Sequence, residues 1–260
     1  MPSELRPQWA APPTVRALMS TRQGGAGVAP FDSNNLALDP ADPAAAENRR
    51  RFAAALGARP QWLQQVHGAT VVRLGQHALS VGTGAPRADA SVTRVPGQAC
   101  TVLVADCLPV LLCAGNGSAV GAAHAGWRGL AAGVLDNTVA ALCELCSDAP
   151  ASLLAWLGPC IGPRRFEVGP DVLQAFGLDP CTTDSALFRR HDRADGDPRW
   201  LADLAGLARQ RLQTLGVTQI SGGQWCTVEQ ASDFFSFRRD GQSGPRSGSG
   251  RMAAGIAIVG

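Results

Sequence analysis

TVLVADCLPVLLCAGNGSAVGAAHAGWRG, residues 101–129, is the stretch that decides the fold. Thr101–Ala105 and Val110–Cys113 are continuous apolar runs, and Ala119–Ala123 is a third. Runs of this length bounded by turn signals read as buried strands. Asn116-Gly117 is a preferred hairpin-turn pair, so the last two strands are expected to lie antiparallel. A strand that is apolar at every position must be covered on both faces.

Working outward, Val15–Ser20 reads as a strand that runs into a glycine loop, Thr21–Gly27. Pro43–Leu56 has helical spacing, with Gly57 as its stop. Trp62–Val66 and Thr70–Leu74 read as strands flanking a turn at His67-Gly68, followed by a polar loop, Gly75–Arg87. After the central stretch, Gly129–Cys146 reads as a helix. Leu153–Leu157 reads as a strand ending in GPCIGP, residues 158–163. Pro170–Phe176 and Asp197–Leu215 are expected helices, separated by a charged loop, Asp184–Pro198. Gln219–Gly222 and Ala253–Val259 are expected strands, and the Gly/Ser-rich Asp240–Gly250 an expected mobile loop. No strict β-α-β alternation appears. The expectation is an α/β fold with mixed β-sheets flanked by helices, residues 1–260 forming one domain.

Composition removes several function classes. The 260 residues carry a net charge of +2, and no basic stripe of the kind a nucleic-acid binder uses stands out. Every basic residue is an arginine and tyrosine is absent, which excludes a Schiff-base lysine, a P-loop lysine and a tyrosine acid. The N-terminal stretch has no apolar signal core, and no apolar run reaches the roughly 18 residues of a membrane span. Eight cysteines without such a leader are expected to be reduced thiols, in the cytoplasm.

Four histidines are present. His67 and His124 each end an expected strand beside a glycine turn, where loops on a rigid scaffold carry function. Cys107 lies in the break between two buried strands, and the hairpin brings the chain back past it. Two imidazoles and a thiolate suit Zn²⁺ with one coordination position left open. Asp106, next to the cysteine, could orient a ligand or accept a proton. Spacing alone leaves a second reading open, in which the histidines are satisfied at strand ends and the thiol is merely packed. Cys143-x-x-Cys146 has metal spacing but falls within an expected helix, so it reads as helix-face packing. Cys160 and Cys226 are ambiguous, and His77 and His191 read as exposed loop residues.

Three blocks carry a family resemblance. Trp62–Gly68 resembles a "QVHG" motif, Ala105–Pro109 an "ADC-P" motif, and His124–Gly129 an "HAGWRG" motif. Thr21–Gly25 with Asn34 and Leu36, Gly158–Gly162, and Ser236–Arg239 with Arg251 match further blocks in order. Together these resemble the YfiH family, also called the multicopper polyphenol oxidase or laccase-domain family, over nearly the whole chain.

The resemblance implies zinc at His67, Cys107 and His124. It also implies a purine nucleoside phosphorylase acting on adenosine, inosine, guanosine and methylthioadenosine, with adenosine deamination in some members. Copper fits less well, because a multicopper oxidase needs many histidines. Phosphorolysis needs an anion pocket, and Arg22, Arg49, Arg128, Arg239 and Arg251 are the candidates, each with a solvated surface charge as its alternative. Deamination needs a carboxylate proton shuttle, for which Asp106 is the candidate, with Cys107 and His124 beside it. The family has tyrosines near Phe234–Phe237; the phenylalanines here keep stacking but lose the hydroxyl. Two further readings stay open. One is an amidase-like hydrolase that edits a cell-wall precursor, and the other is a non-catalytic module. The expected partners are small molecules only, with neither nucleic acid nor membrane, and the chain is expected to be a monomer or homodimer.

Overall fold

The computed structural model describes residues 4–39, 42–75, 84–241 and 248–259. Two mixed sheets stack face to face. The first runs β1 (Glu4–Leu5), β2 (Val15–Ser20), β14 (Met252–Ile258), β6 (Gln98–Val104), β3 (Arg59–Gln61). The second runs β13 (Gln219–Gly222), β9 (Leu153–Leu157), β7 (Leu108–Ala114), β8 (Val120–Ala125), β5 (Ala90–Thr93), β4 (Val71–Arg73). A small antiparallel sheet of β10 (Glu167–Val168), β12 (Trp200–Ala202) and β11 (Phe188–Arg190) sits to one side.

The period-two rule explains why the central strands carry no polar face. On β7, Val110 and Leu112 point into one apolar layer and Leu111 and Cys113 into another. On β14, Met252, Ala254 and Ile256 join the layer between the two large sheets, while Ala253 and Ala257 face outward. That outer face is covered by α1 (Pro43–Leu56) through Phe52 and Leu56. The far face of the second sheet is covered by α3 (Val134–Cys146), α4 (Pro170–Ala175) and α5 (Leu204–Thr214). Each fully buried leucine contributes ~1.5–3 kcal/mol of transfer free energy.

Local chemistry set α1 as expected. Asp42 caps it by accepting from the Ala45 amide, Pro43 opens it, and Gly57 ends it at φ 69°. The hairpin of β7 and β8 is antiparallel, as the Asn116-Gly117 turn implied.

Several expectations need correction. Trp62–Val66 is not a strand: only Gln64 makes an isolated bridge, to Arg87, and regular pairing falls on β3 before it. The helix expected over Gly129–Cys146 is two, α2 (Trp127–Ala131) and α3, because Gly133 adopts φ 90° between them. Asp197–Leu215 is not one helix. Trp200–Ala202 forms β12, and α5 starts only after Asp203, whose side chain caps it through the Gly206 amide. The charged loop Asp184–Pro198 contains β11, anchored by the buried Phe188. In both cases one buried aromatic ring outweighs the charged neighbours. Strand β5 was not anticipated. Much of the loops Gly75–Arg87 and Asp240–Gly250 lies outside the described residues, and so does His77.

One topological fact positions the site. Strands β6 and β7 belong to different sheets, so Ala105–Cys107 is the short passage between them. The register of β7 against β8 sets Leu108 opposite Ala125 and Pro109 opposite His124. Cys107 therefore emerges beside the end of β8.

Candidate metal centre and cleft

His124 is buried at the end of β8, Cys107 is partly exposed, and His67 is exposed. Their donor atoms all lie within 4.8 Å of one another. Cys107 Sγ is 3.9 Å from His67 Nε2, and the two imidazole rings meet edge to face at 4.8 Å. A metal ion with Zn–S and Zn–N bonds of ~2.3 and ~2.0–2.1 Å holds tetrahedral donors roughly 3.5 Å apart. The observed spacing needs only a small closure, so two imidazoles and a thiolate fit a metal ion here.

Gly126 makes the approach possible. A Cβ at that position would meet Cys107 Sγ at 2.9 Å and His67 Cδ2 at 3.2 Å. Its φ of −65° suits any residue, so space and not backbone strain calls for glycine.

Asp89 is the residue that sequence reasoning missed. It precedes β5, is fully buried, and accepts from His124 Nδ1 at 2.9 Å. It also accepts from the amides of Val66, His67 and Gly68. The only sequence signal was a β-branched pair, Val92-Thr93, with an acidic residue shortly ahead of it.

These contacts reshape the electrostatics. Burial would push the Cys107 thiol up, yet hydrogen bonds from His124 and His67 hold it below the ordinary thiol range. Burial would lower the His124 imidazole, but its bonds to Asp89 and Cys107 hold it above the usual value. Burial would likewise raise Asp89. The His124 ring and the amides of Gly68 and Val66 keep its carboxyl low.

The three donors open into a cleft of about 690 Å³, lined also by Asp106, Trp127, Arg128, Phe237, Arg238 and Arg251. Arg128 stacks over the Trp127 ring at 4.2 Å, and no acidic group among the described residues pairs with it. Arg251 donates to the carbonyl of Ser249 at 2.7 Å, and burial lowers its guanidinium below the usual value. Arg238 donates to the Glu167 carbonyl and covers Phe166. Phe237 is 52% exposed at this cleft.

The remaining arginine candidates are not cleft-lining. Arg22 donates to the carbonyls of Asp32 and Ala231, and lies over Phe235. Arg49 donates to the Ala37 carbonyl, which supports the cleft wall from behind. Arg239 is taken up by the carbonyls of Thr227, Val228 and Phe234 and by Asp240. Asp106 does line the cleft, but its oxygens already accept from Thr227 Oγ1, Ser236 Oγ and the Arg238 amide.

All eight cysteines are free thiols. Cys160 and Cys226 face each other across an isolated bridge and are buried, with Cys226 Sγ accepting from the Gly162 amide. Cys143 and Cys146 pack half-buried on α3 against the core. His191 is exposed after β11.

Residues 16–259 match the family described as multi-copper polyphenol oxidoreductase laccase. The chain is 46% identical over 261 residues to purine nucleoside phosphorylase YfiH of Escherichia coli strain K12, covering 97% of this chain and 98% of that protein. It is 47% identical over 243 residues to purine nucleoside phosphorylase PA4543 of Pseudomonas aeruginosa, covering 92% and 94% of the two chains. Among solved structures, Neisseria meningitidis protein NMB0706 superposes with a TM-score of 0.84 at 41% identity, covering 100% of both chains.

Proposed function

The chain belongs to the laccase-domain family, and from that premise we propose that it is a zinc-dependent purine nucleoside phosphorylase. The observation that carries this reading is the opening of the His67, Cys107 and His124 cluster into a cleft that also presents Arg128 and Arg251. Such a cleft offers guanidinium donors for an anion beside apolar and aromatic walls for a base.

The choice of metal rests on the donor set. A blue-copper site uses the same two imidazoles and thiolate, but adds a weak axial ligand such as methionine. Met19 and Met252 are both buried in the core between the sheets and do not line the cleft. With four histidines in the whole chain, a cluster of several coppers also lacks ligands. Three protein ligands with one open position match catalytic zinc, which when bound supplies Lewis-acid polarisation.

The side chains divide the remaining work. Arg128 and Arg251 hold phosphate by charge-assisted hydrogen bonds, close to the sugar it attacks. Trp127 and Phe237 wall the space for the purine. Asp106, with three donors on its carboxylate, positions the Phe237–Arg238 wall and is poorly placed to relay protons. That favours phosphorolysis, which transfers the ribosyl group to phosphate and releases the base, over adenosine deamination. The free thiols fit a reducing compartment, so the reading places the enzyme in the cytoplasm. None of the described helices is long and apolar enough to cross a membrane.

The test is elemental analysis of the purified protein together with inosine and adenosine assays, with and without phosphate, alongside Cys107→Ala. About one zinc per chain, with phosphate-dependent release of hypoxanthine or adenine that the variant loses, supports the reading. Copper in place of zinc overturns the metal assignment. Zinc without nucleoside turnover overturns the substrate assignment and turns attention to a cell-wall precursor.

A further inference from the structure

We propose that Asp89 is the positioning residue of the metal centre, one buried carboxylate that sets both the ring state of His124 and the backbone of His67, so that both imidazoles bind metal through Nε2.

The two ligands come from elements far apart in sequence, and Asp89 touches both. Its Oδ1 accepts from the His67 amide at 2.9 Å and from His124 Nδ1 at 2.9 Å. Its Oδ2 accepts from the amides of Gly68 at 2.7 Å and Val66 at 3.2 Å. Its own carbonyl accepts the His124 amide at 2.7 Å. The side chain is completely buried, so no water competes for these donors.

The consequences for each ligand differ. A carboxylate only accepts, so His124 keeps a proton at Nδ1 in every state, and Nε2 is the nitrogen that gives up its proton when metal binds. His67 sits at φ 59°, a left-handed conformation that a non-glycine residue rarely adopts without support from its surroundings. Three consecutive amides converging on one carboxylate hold the loop in that conformation. They aim His67 Nε2 at Cys107, 3.9 Å away. Carboxylates that orient metal-bound imidazoles in this way are worth roughly 10- to 100-fold in metal affinity. Asp89 does this for two ligands at once, and it touches neither the metal position nor the cleft.

The experiment compares wild type with Asp89→Asn and Asp89→Glu. Each is stripped of metal and titrated with Zn²⁺ and Co²⁺ against a competing chelator. The visible spectrum of the Co²⁺ form reports thiolate coordination and geometry. Asp89→Asn is expected to bind zinc roughly 10- to 100-fold more weakly, with a Co²⁺ spectrum altered in band position as well as intensity. Asp89→Glu should recover part of the loss. Equal zinc affinity and an unchanged Co²⁺ spectrum in Asp89→Asn would overturn the proposal. A second measurement needs no variant. Long-range ¹H–¹⁵N correlation on zinc-loaded wild type should show both histidines protonated at Nδ1. Coordination through Nδ1 of either ring, or failure of wild type to bind zinc, overturns the proposal even if the variants do not fold. None of these readouts depends on nucleosides being the substrate.

Discussion

The Asp106 carboxylate accepts the backbone N–H of Arg238 at 2.6 Å, tying the passage between the two large sheets to the far wall of the cleft. Thr227 and Ser236 hydroxyls complete the cluster, so one acidic side chain next to Cys107 gathers three donors from another part of the chain. Asp106→Ala leaves those donors unpaired, which costs about 1–3 kcal/mol for each buried group left without a partner. The expected outcome is a lower melting temperature and a higher KM, with zinc stoichiometry retained. Asp106→Asn should keep the shape of the pH–rate profile. If that variant instead lost one limb of the profile at unchanged stability, Asp106 would be the proton shuttle after all.

Gly126→Ala tests the space around the cluster. The added methyl is directed at Cys107 Sγ and His67 Cδ2, both ligand side chains, while the backbone accepts alanine without strain. Zinc affinity should fall about tenfold or more, on the scale seen when ligand positioning is lost. The melting temperature of the metal-free protein should change little, which chelator competition and thermal denaturation read separately.

Metal-free protein should carry a reactive thiolate. Cys107 is held down to about 6 and His124 up to about 9, each despite burial, by their contacts with one another and with His67 and Asp89. A depressed folded value contributes stability above the unfolded value of 9.0, and that contribution is lost as pH falls through about 6. A raised folded value contributes below the unfolded 6.5 and is lost as pH rises through about 9. Between about 6 and 9 the cysteine contribution grows with pH while the histidine contribution shrinks, so the two largely offset and the wild-type melting temperature should vary little there. Cys107→Ser, which keeps the Asp89 bond to His124, should instead give a melting temperature that falls as pH rises across that window. At pH 7, iodoacetamide should label Cys107 ahead of the exposed Cys181, and added zinc should abolish that lead. Mass spectrometry of the tryptic peptides decides it.

Arg128 and Arg251 separate phosphate binding from the rest. A charge-assisted hydrogen bond is worth ~1.5–3 kcal/mol, so each alanine variant should raise KM for phosphate roughly 10- to 100-fold. Zinc content should not change. Arg128→Lys should recover less than half of the lost binding energy, because an ammonium lacks the forked geometry and stacks poorly on Trp127. An unchanged phosphate KM in both alanine variants would remove these arginines from the anion site.

Legibility in the sequence varied with the range of the interaction. Helix α1 was readable to its ends because its cap, its proline and its terminal glycine are local. The region of β11 and β12 was misread because Phe188 and Trp200 are single apolar anchors in charged surroundings, buried only by a sheet that assembles from separate segments. The arginines could not be sorted either. Arg22, Arg49 and Arg239 spend their guanidinium groups largely on carbonyls, several of them distant in the chain, and only Arg239 has an acidic neighbour, Asp240, that shares in holding it.

By itself, the amino-acid sequence determined the mixed α/β class, since continuous apolar strands with a tight Asn-Gly turn admit few other arrangements, and it singled out His67, Cys107 and His124. Only the tertiary structure decided that these three converge, because that depends on the passage from one sheet to the next and on the register of β7 against β8. It alone decided the place of Asp89, whose four side-chain donors come from two segments 21 and more positions away along the chain. A buried carboxylate is defined by the donors that surround it, and sequence order does not carry that information.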